Sequence, residues 1–322
     1  MKKYEVTALG ELLIDFTCSG VSAQGNPSYE ANPGGAPCNV LAMLNKMGHR
    51  TSFIGKVGDD IFGHQLKNLL GEMKIDTSNL RMDREVRTTL AFVANDEYGD
   101  RSFSFYRNPG ADMMLRAEEI DEEAIGRTKI LHFGTLSMTH RTARAATKRA
   151  LKIAKERQIL ISFDPNLREM LWDSLDNAKK QTEYGLKFCD VLKISDNELQ
   201  WFTGEEDYDR GVRIIQEKYH IPMILLSMGR EGSRAYYKGM QIEVPGFIQE
   251  NTIDTTGAGD TFFGCCLHFI LKKGLNGFGE NDLREMLLFA NAAASIVTTR
   301  KGALRAMPSK EEVEELIALR QG

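Results

Sequence analysis

The chain has 322 residues, 42% of them hydrophobic, with 41 Lys and Arg against 45 Asp and Glu for a net charge of −4. That near-balance supplies no electrostatic footprint for nucleic acid or anionic lipid, and a chain this long folds without disulfides or a structural metal. Five cysteines with no CxxC pair, no apolar run of about 20 residues and no apolar leader before Glu11 predict a reduced, cytoplasmic protein without a membrane span.

The first predicted element is a strand at Leu12–Phe16, after a break at Gly10. Next comes Asn32-Pro33-Gly34-Gly35-Ala36-Pro37-Cys38-Asn39, a Gly-rich turn that opens a helix. The apolar face of that helix is Val40, Met43, Leu44 and Met47, and Gly48 stops it. Pro37 suits a first helical turn, Gly34 and Gly35 let backbone crowd a ligand, and Asn39 offers a donor and an acceptor. Read alone, the segment is first of all a helix-entry loop with an amide cap. A strand at Thr51–Lys56 and a helix at Ile61–Met73 follow, with Asp59 or Asp60 as the cap.

Thr88–Asn95 and Arg101–Tyr106 alternate in period two around the turn residues Asp96-Glu97-Tyr98-Gly99-Asp100, which predicts an antiparallel hairpin. Together with Leu12–Phe16 it forms a small sheet standing off the main one. Phe92, Phe103 and Phe105 are expected to give that sheet one apolar face, suited to a lid over a substrate, a subunit interface, or both. Beyond the hairpin, strands at Ile130–Phe133, Ile159–Phe163, Val191–Ile194 and Met223–Ser227 alternate with helices at Arg141–Arg157 and Tyr208–Tyr219. Helices at Ala258–Lys273, Asp282–Thr299 and Lys310–Arg320 complete the pattern. Continuous apolar strands alternating with helices predict a mainly parallel sheet covered on both faces, in one domain with a lid.

Chemistry concentrates in Asp254-Thr255-Thr256-Gly257-Ala258-Gly259-Asp260-Thr261-Phe262-Phe263-Gly264. Small residues let backbone N–H groups converge at a helix start, an anion-binding nest suited to phosphate. Asp260 in that first turn is either an acid interacting with the helix dipole or a group that takes a hydroxyl proton. No GxxxxGK[ST] occurs, and Phe262 stands where a GxGxxG fingerprint needs its last glycine. The six histidines show no HxH or HExxH spacing, so they are not read as metal ligands.

The stretch Gly34–Gly63 together with Asp254–Gly264 resembles the two signature regions of the PfkB/ribokinase family of sugar kinases. Gly10–Phe16, Arg107–Asp112, Phe163–Arg168 and Asn291–Ala294 resemble its fructokinase branch in particular, so the likeness runs from about Gly10 to Ala303. It implies an α/β, Rossmann-like three-layer ribokinase-type fold over 1–322, with a non-contiguous β lid from 11–33 and 86–110. Asp260 is then the base, and Gly257, Ala258 and Gly259 form the anion hole. Asp15, Gly34, Gly35 and Asn39 match positions that hold sugar hydroxyls, and Arg107 and Arg168 match positions that face substrate or phosphate. Asn166, Ser227, Gly229, Gly232 and Asn291 would meet the nucleotide.

The same resemblance implies ATP and Mg²⁺, with Glu198 acting on the metal through water, and a candidate K⁺ site at Asp254, Thr256, Arg300 and Gly302. One position departs from the ribokinase NxxE pattern, since Ser195 precedes Asp196-Asn197-Glu198. The expected activity is phosphorylation of a ketohexose, D-fructose to fructose 6-phosphate, by a homodimer joined through the lid. The alternatives are a kinase of 2-keto-3-deoxygluconate, ribose or a nucleoside, and a regulator that binds sugar or nucleotide without catalysis.

Overall fold

The computed structural model describes residues 2–95 and 101–321. Strand β1 (Tyr4–Leu9) is followed by β2 (Leu13–Val21), β3 (Pro27–Gly34), α1 (Ala36–Lys46), β4 (Thr51–Gly58), α2 (Ile61–Glu72) and β5 (Ile75–Asp83). Then come β6 (Leu90–Asn95), β7 (Arg101–Tyr106), α3 (Glu122–Gly126), β8 (Thr128–Gly134), α4 (Arg141–Glu156), β9 (Leu160–Asp164) and α5 (Leu175–Leu186). The remainder comprises β10 (Val191–Ser195), α6 (Asp196–Thr203), α7 (Tyr208–Tyr219), β11 (Met223–Ser227), β12 (Gly232–Tyr237), β13 (Met240–Pro245), α8 (Ala258–Lys273), α9 (Glu280–Val297) and α10 (Lys310–Gln321).

A nine-stranded sheet runs β13-β12-β11-β10-β9-β8-β1-β4-β5. Its strands pair in parallel from β5 through β11, and β12 and β13 add an antiparallel edge. Alternate side chains of one strand enter different cores, as the pleat requires. Met223 and Leu225 join the core under α1, α8 and α9, whereas Ile224 and Leu226 join the one under α4 and α7. This is the three-layer α/β arrangement expected from the strand–helix alternation. β1, β3, β5, β12, β13, α3, α5 and α6 are additions to that reading.

The second sheet has four strands in the order β3-β2-β6-β7. Here one expectation needs correction. The β6–β7 register sets Phe92 opposite Ser104 and Phe105 opposite Ala91, so Phe92 and Phe105 lie on opposite faces. Phe92 instead stacks on Phe16 (centroids 4.8 Å apart), with Tyr29, Tyr106 and Phe62 of α2 completing an aromatic cluster. Asp15 pairs with Ala91 and shares the other face with Phe105. The turn expected at 96–100 and the side chain of Phe103 lie outside the described residues.

A buried polar network ties together the segments where the chain passes between the sheets. Glu11 accepts a hydrogen bond from the Ala36 N–H at 2.9 Å. Thr89 donates to Asp112, which also receives Nε and Nη2 of Arg107 at 2.9 and 2.6 Å. Arg107 further donates to Thr139 Oγ1 and the Leu136 carbonyl. Both partners of the Arg107–Asp112 pair are almost fully buried, so removing one leaves a charge without compensation. Arg107→Met is therefore expected to lower the unfolding free energy by about 3–5 kcal/mol, measured by thermal or denaturant unfolding.

Candidate active site

Two helix starts meet at the C-terminal edge of the large sheet. Helix α8 begins at Gly257, whose φ of 79° is left-handed, and a Cβ there would approach the Ala303 Cβ to 2.8 Å. Only glycine makes this turn against Ala303 without strain. The Ala258 N–H donates to the Thr255 carbonyl at 3.3 Å. Those of Gly259 and Asp260, second and third in the helix, have no intrahelical acceptor. The nest expected at Gly257, Ala258 and Gly259 is thereby shifted: its donor edge is Gly259 and Asp260, because the Ala258 N–H is already engaged.

Helix α1 opens beside it after Gly35, at φ 135°, where a Cβ would come within 2.4 Å of the Glu11 carbonyl. Asn39 Nδ2 donates to Asp260 Oδ2 at 2.8 Å. One turn further on, Gly264 packs against Met43, since a Cβ there would lie 2.8 Å from the Met43 Cβ. The pairs Asn39–Asp260 and Met43–Gly264 advance by four residues on each helix, so α1 and α8 run side by side in the same direction. Both positive dipole ends therefore point at one spot. Asn39 Oδ1 is buried and has no hydrogen-bond partner among the described residues.

Asp15 faces this spot from β2. Its Oδ2 lies 2.5 Å from where a Gly34 Cβ would be, so a side chain at 34 would have to displace the carboxylate. Burial pushes the Asp15 carboxyl up to about 6, with Arg168 opposing and Asp254 adding to the shift. Burial also raises Asp260 above its ordinary value, against the pull of the Asn39 hydrogen bond, Lys193 and Arg168. The exposed Arg168 thus bears on both carboxylates from the loop after β9. A recess beneath is lined by Glu11, Pro37, His132, Thr135, Asp164 and Asn166, among others.

Glu198 and Ser195 form a capping box at the start of α6. Ser195 N–H and Oγ each donate to Glu198 Oε2 at 2.9 Å, and the Leu167 N–H donates to Oε1 at 2.7 Å. That explains serine where the ribokinase pattern has asparagine, and S-x-x-E was the signal for it. Burial alone would raise the Glu198 carboxyl, but Lys193 and these donors overcome it and hold it ionised.

The structure brings together Asp15, Gly34, Gly35, Asn39, Arg168, Glu198 and the Gly257–Asp260 turn. Arg107 is instead engaged at the lid root. Asn166, at φ 45°, donates its N–H to Asp164 Oδ1 and lines the recess. Ser227 stands across from Ser195 in the sheet register, with Gly229 and Gly232 in the turn beyond it. Asn291 is occupied: it accepts from Ser233 Oγ and donates to the Val244 carbonyl, anchoring the β12–β13 edge to α9. Asp254 accepts from the Thr256 N–H and hydroxyl and from the Gly302 N–H, and Arg300 pairs with Glu312, so these two loops are stitched together. Unanticipated from sequence are Lys193, Asp164 and Glu11. The lysine in the apolar run Val191-Leu192-Lys193-Ile194 was a readable signal, because ammonium groups are seldom buried without a partner.

Residues 3–310 match the model of the pfkB family carbohydrate kinase. The chain belongs to the pfkB family of carbohydrate kinases. It is 39% identical over 318 residues to probable fructokinase-4 of Arabidopsis thaliana, covering 98% of this chain and 97% of that protein. Fructokinase from Xylella fastidiosa, solved with bound ATP, superposes with a TM-score of 0.91 at 30% identity over 100% of both chains. A double mutant of fructokinase from Vibrio cholerae O395, solved with fructose, ADP and potassium ion, gives 0.87 at 29% identity, covering 98% and 99% of the two chains.

Proposed function

We propose that this chain uses ATP to convert D-fructose to fructose 6-phosphate within one kinase domain, 1–322, closed by the small sheet as a lid. The observation that carries the reading is the Asn39–Asp260 hydrogen bond, which joins the sugar-side and phosphate-side helices at 2.8 Å. Fructokinases that bind ATP, or fructose with ADP, share the fold across almost the entire chain and support fructose as the acceptor.

In this reading Asp15 and the unsatisfied carbonyl of Asn39 accept hydroxyl hydrogens of the sugar, and Gly34 and Gly35 let it approach the backbone. Asp260 takes the proton of the acceptor hydroxyl, whose oxygen bonds to the γ-phosphorus as the bond to ADP breaks. The N–H groups of Gly259 and Asp260 and the ends of the two helices meet the negative charge on the moving phosphoryl group. A base of this kind contributes a factor of about 10²–10⁴. Arg168 faces the same charge from across the cleft, and the Ser227–Gly232 turn and Asn166 line the nucleotide side.

Among the described residues no cluster of three or more His, Cys, Asp or Glu could hold a metal alone. That donor set fits Mg²⁺, which keeps most of its waters and binds through substrate phosphates. Glu198, ionised and fixed by three donors, would hold one of those waters, and the ion would supply charge neutralisation. The loops carrying Asp254, Thr256, Arg300 and Gly302 are the proposed K⁺ site. No helix among the described residues is long and apolar enough to cross a membrane, and the proposed setting is the cytoplasm. Tyr29 and Tyr106, 44% and 65% exposed on the aromatic face of the lid, are the proposed dimer contact.

An ATP-coupled assay across fructose, ribose, 2-keto-3-deoxygluconate and nucleosides is expected to give the highest kcat/KM with fructose; turnover of none of them would remove the kinase reading. Asp260→Asn should lower kcat by at least about 10²-fold while ADP binding measured by calorimetry persists. In the wild type kcat/KM should fall with acid as Asp260 takes up a proton, at a pH above the ordinary aspartate value of 3.8. Sedimentation is expected to show a dimer that Tyr106→Glu dissociates, whereas a monomer at all concentrations would exclude the lid contact.

A further inference from the structure

Lys193 projects from the middle of β10 with its side chain only 7% exposed. Its Nζ lies 3.1 and 3.3 Å from the two oxygens of Asp164. A Cβ built at Gly259 would stand 3.1 Å from the same nitrogen, so the ammonium rests against the second residue of the Gly-rich helix start. Burying an ammonium is unfavourable, and one carboxylate would suffice to balance it. Here Asp164, Glu198 and Asp260 all act on it and outweigh burial, keeping it charged. The cluster therefore sets three acidic side chains around one cation, with the N–H groups of the Gly-rich helix start beside it.

We propose that Lys193 is a catalytic residue of the phosphoryl transfer, its ammonium binding the oxygens of the phosphoryl group in flight while Asp164 holds it in position. The inference rests on the kinase reading above. The sugar O–H gives its proton to Asp260, the sugar oxygen forms the new bond to phosphorus, and the bridging P–O bond breaks with its electron pair leaving on the nucleoside diphosphate. Lys193 keeps its proton throughout. It acts because negative charge shifts across the phosphoryl oxygens within reach of Nζ, and a fixed buried cation needs no solvent rearrangement to meet it. An ammonium serving only to neutralise Asp164 would have no reason to abut Gly259.

The test compares wild type with Lys193→Met, which keeps the length of the side chain and removes the charge. The expected result is a fall in kcat of about 10²–10³-fold, with the KM for sugar and the calorimetric affinity for ADP each held within about threefold at a temperature below the melting point, which itself falls because Asp164 loses its buried partner. In Lys193→Ala, added propylammonium is expected to restore turnover at least fivefold, whereas tetramethylammonium, which has no N–H, should not. Turnover of Lys193→Met within about threefold of wild type, or no response of Lys193→Ala to propylammonium, overturns the assignment. If the variants do not fold, a crystal structure of the wild type with sugar, ADP and aluminium fluoride decides: Nζ within about 3 Å of a fluoride supports the role and a separation beyond about 5 Å excludes it. A wild type that phosphorylates no sugar rejects the kinase reading and this assignment with it; an active wild type with an indifferent Lys193→Met rejects this assignment alone.

Discussion

One hydrogen bond between residues 221 positions apart, Asn39 Nδ2 to Asp260 Oδ2, sets the geometry on which the rest of the site depends. It fixes the register of two helices that begin at left-handed or otherwise glycine-only turns. Gly264 then lets α8 close onto Met43 of α1, so the helices stay parallel instead of splaying. Two aligned dipoles ending together give a positive potential made of backbone alone. This resolves an oddity of the composition, because a chain of net charge −4 needs no basic surface to receive a phosphate.

The same economy governs the buried side chains. Asp15, Asp164, Glu198 and Asp260 lie within one region together with Lys193 and, at its rim, Arg168. The carboxylates are graded by their partners. Glu198, with three hydrogen bonds, stays ionised, whereas Asp15 and Asp260 are pushed toward protonation by burial and remain available to accept hydroxyl hydrogens. Groups of one chemical type thus take separate roles from their surroundings.

Much of this was legible in the sequence. β11 and α7 begin and end where the apolar periodicity placed them, and the Gly-rich turns before α1 and α8 advertised their helix starts. What the sequence did not disclose depends on pairing at a distance. The faces of the lid follow from which residue of β7 opposes Phe92, and no local pattern states that register. Arg107 reads as a substrate contact until Asp112, Thr139 and Leu136 are seen around it. Ser195 reads as a departure from a motif until its hydroxyl is found capping α6. Lys193 was visible as a charge inside an apolar strand, but its neighbours Asp164 and Gly259 come from distant parts of the chain.

The two faces of the lid restrict how its length can change in evolution. On β2 Asp15 and the ring-stacked Phe16 are neighbours, and before the bulge between Cys18 and Gly20 the strand sends successive side chains to opposite sides. Inserting or deleting a single residue between Leu13 and Phe16 would exchange them, burying a carboxylate among aromatic rings and turning a ring to the opposite face. Single-residue length changes are therefore confined to the bulge between Cys18 and Gly20, which already absorbs one extra residue, and to the connection at 22–26 between β2 and β3. The lid is free to change its surface chemistry residue by residue, but the stretch of β2 before its bulge can drift in length only in steps of two.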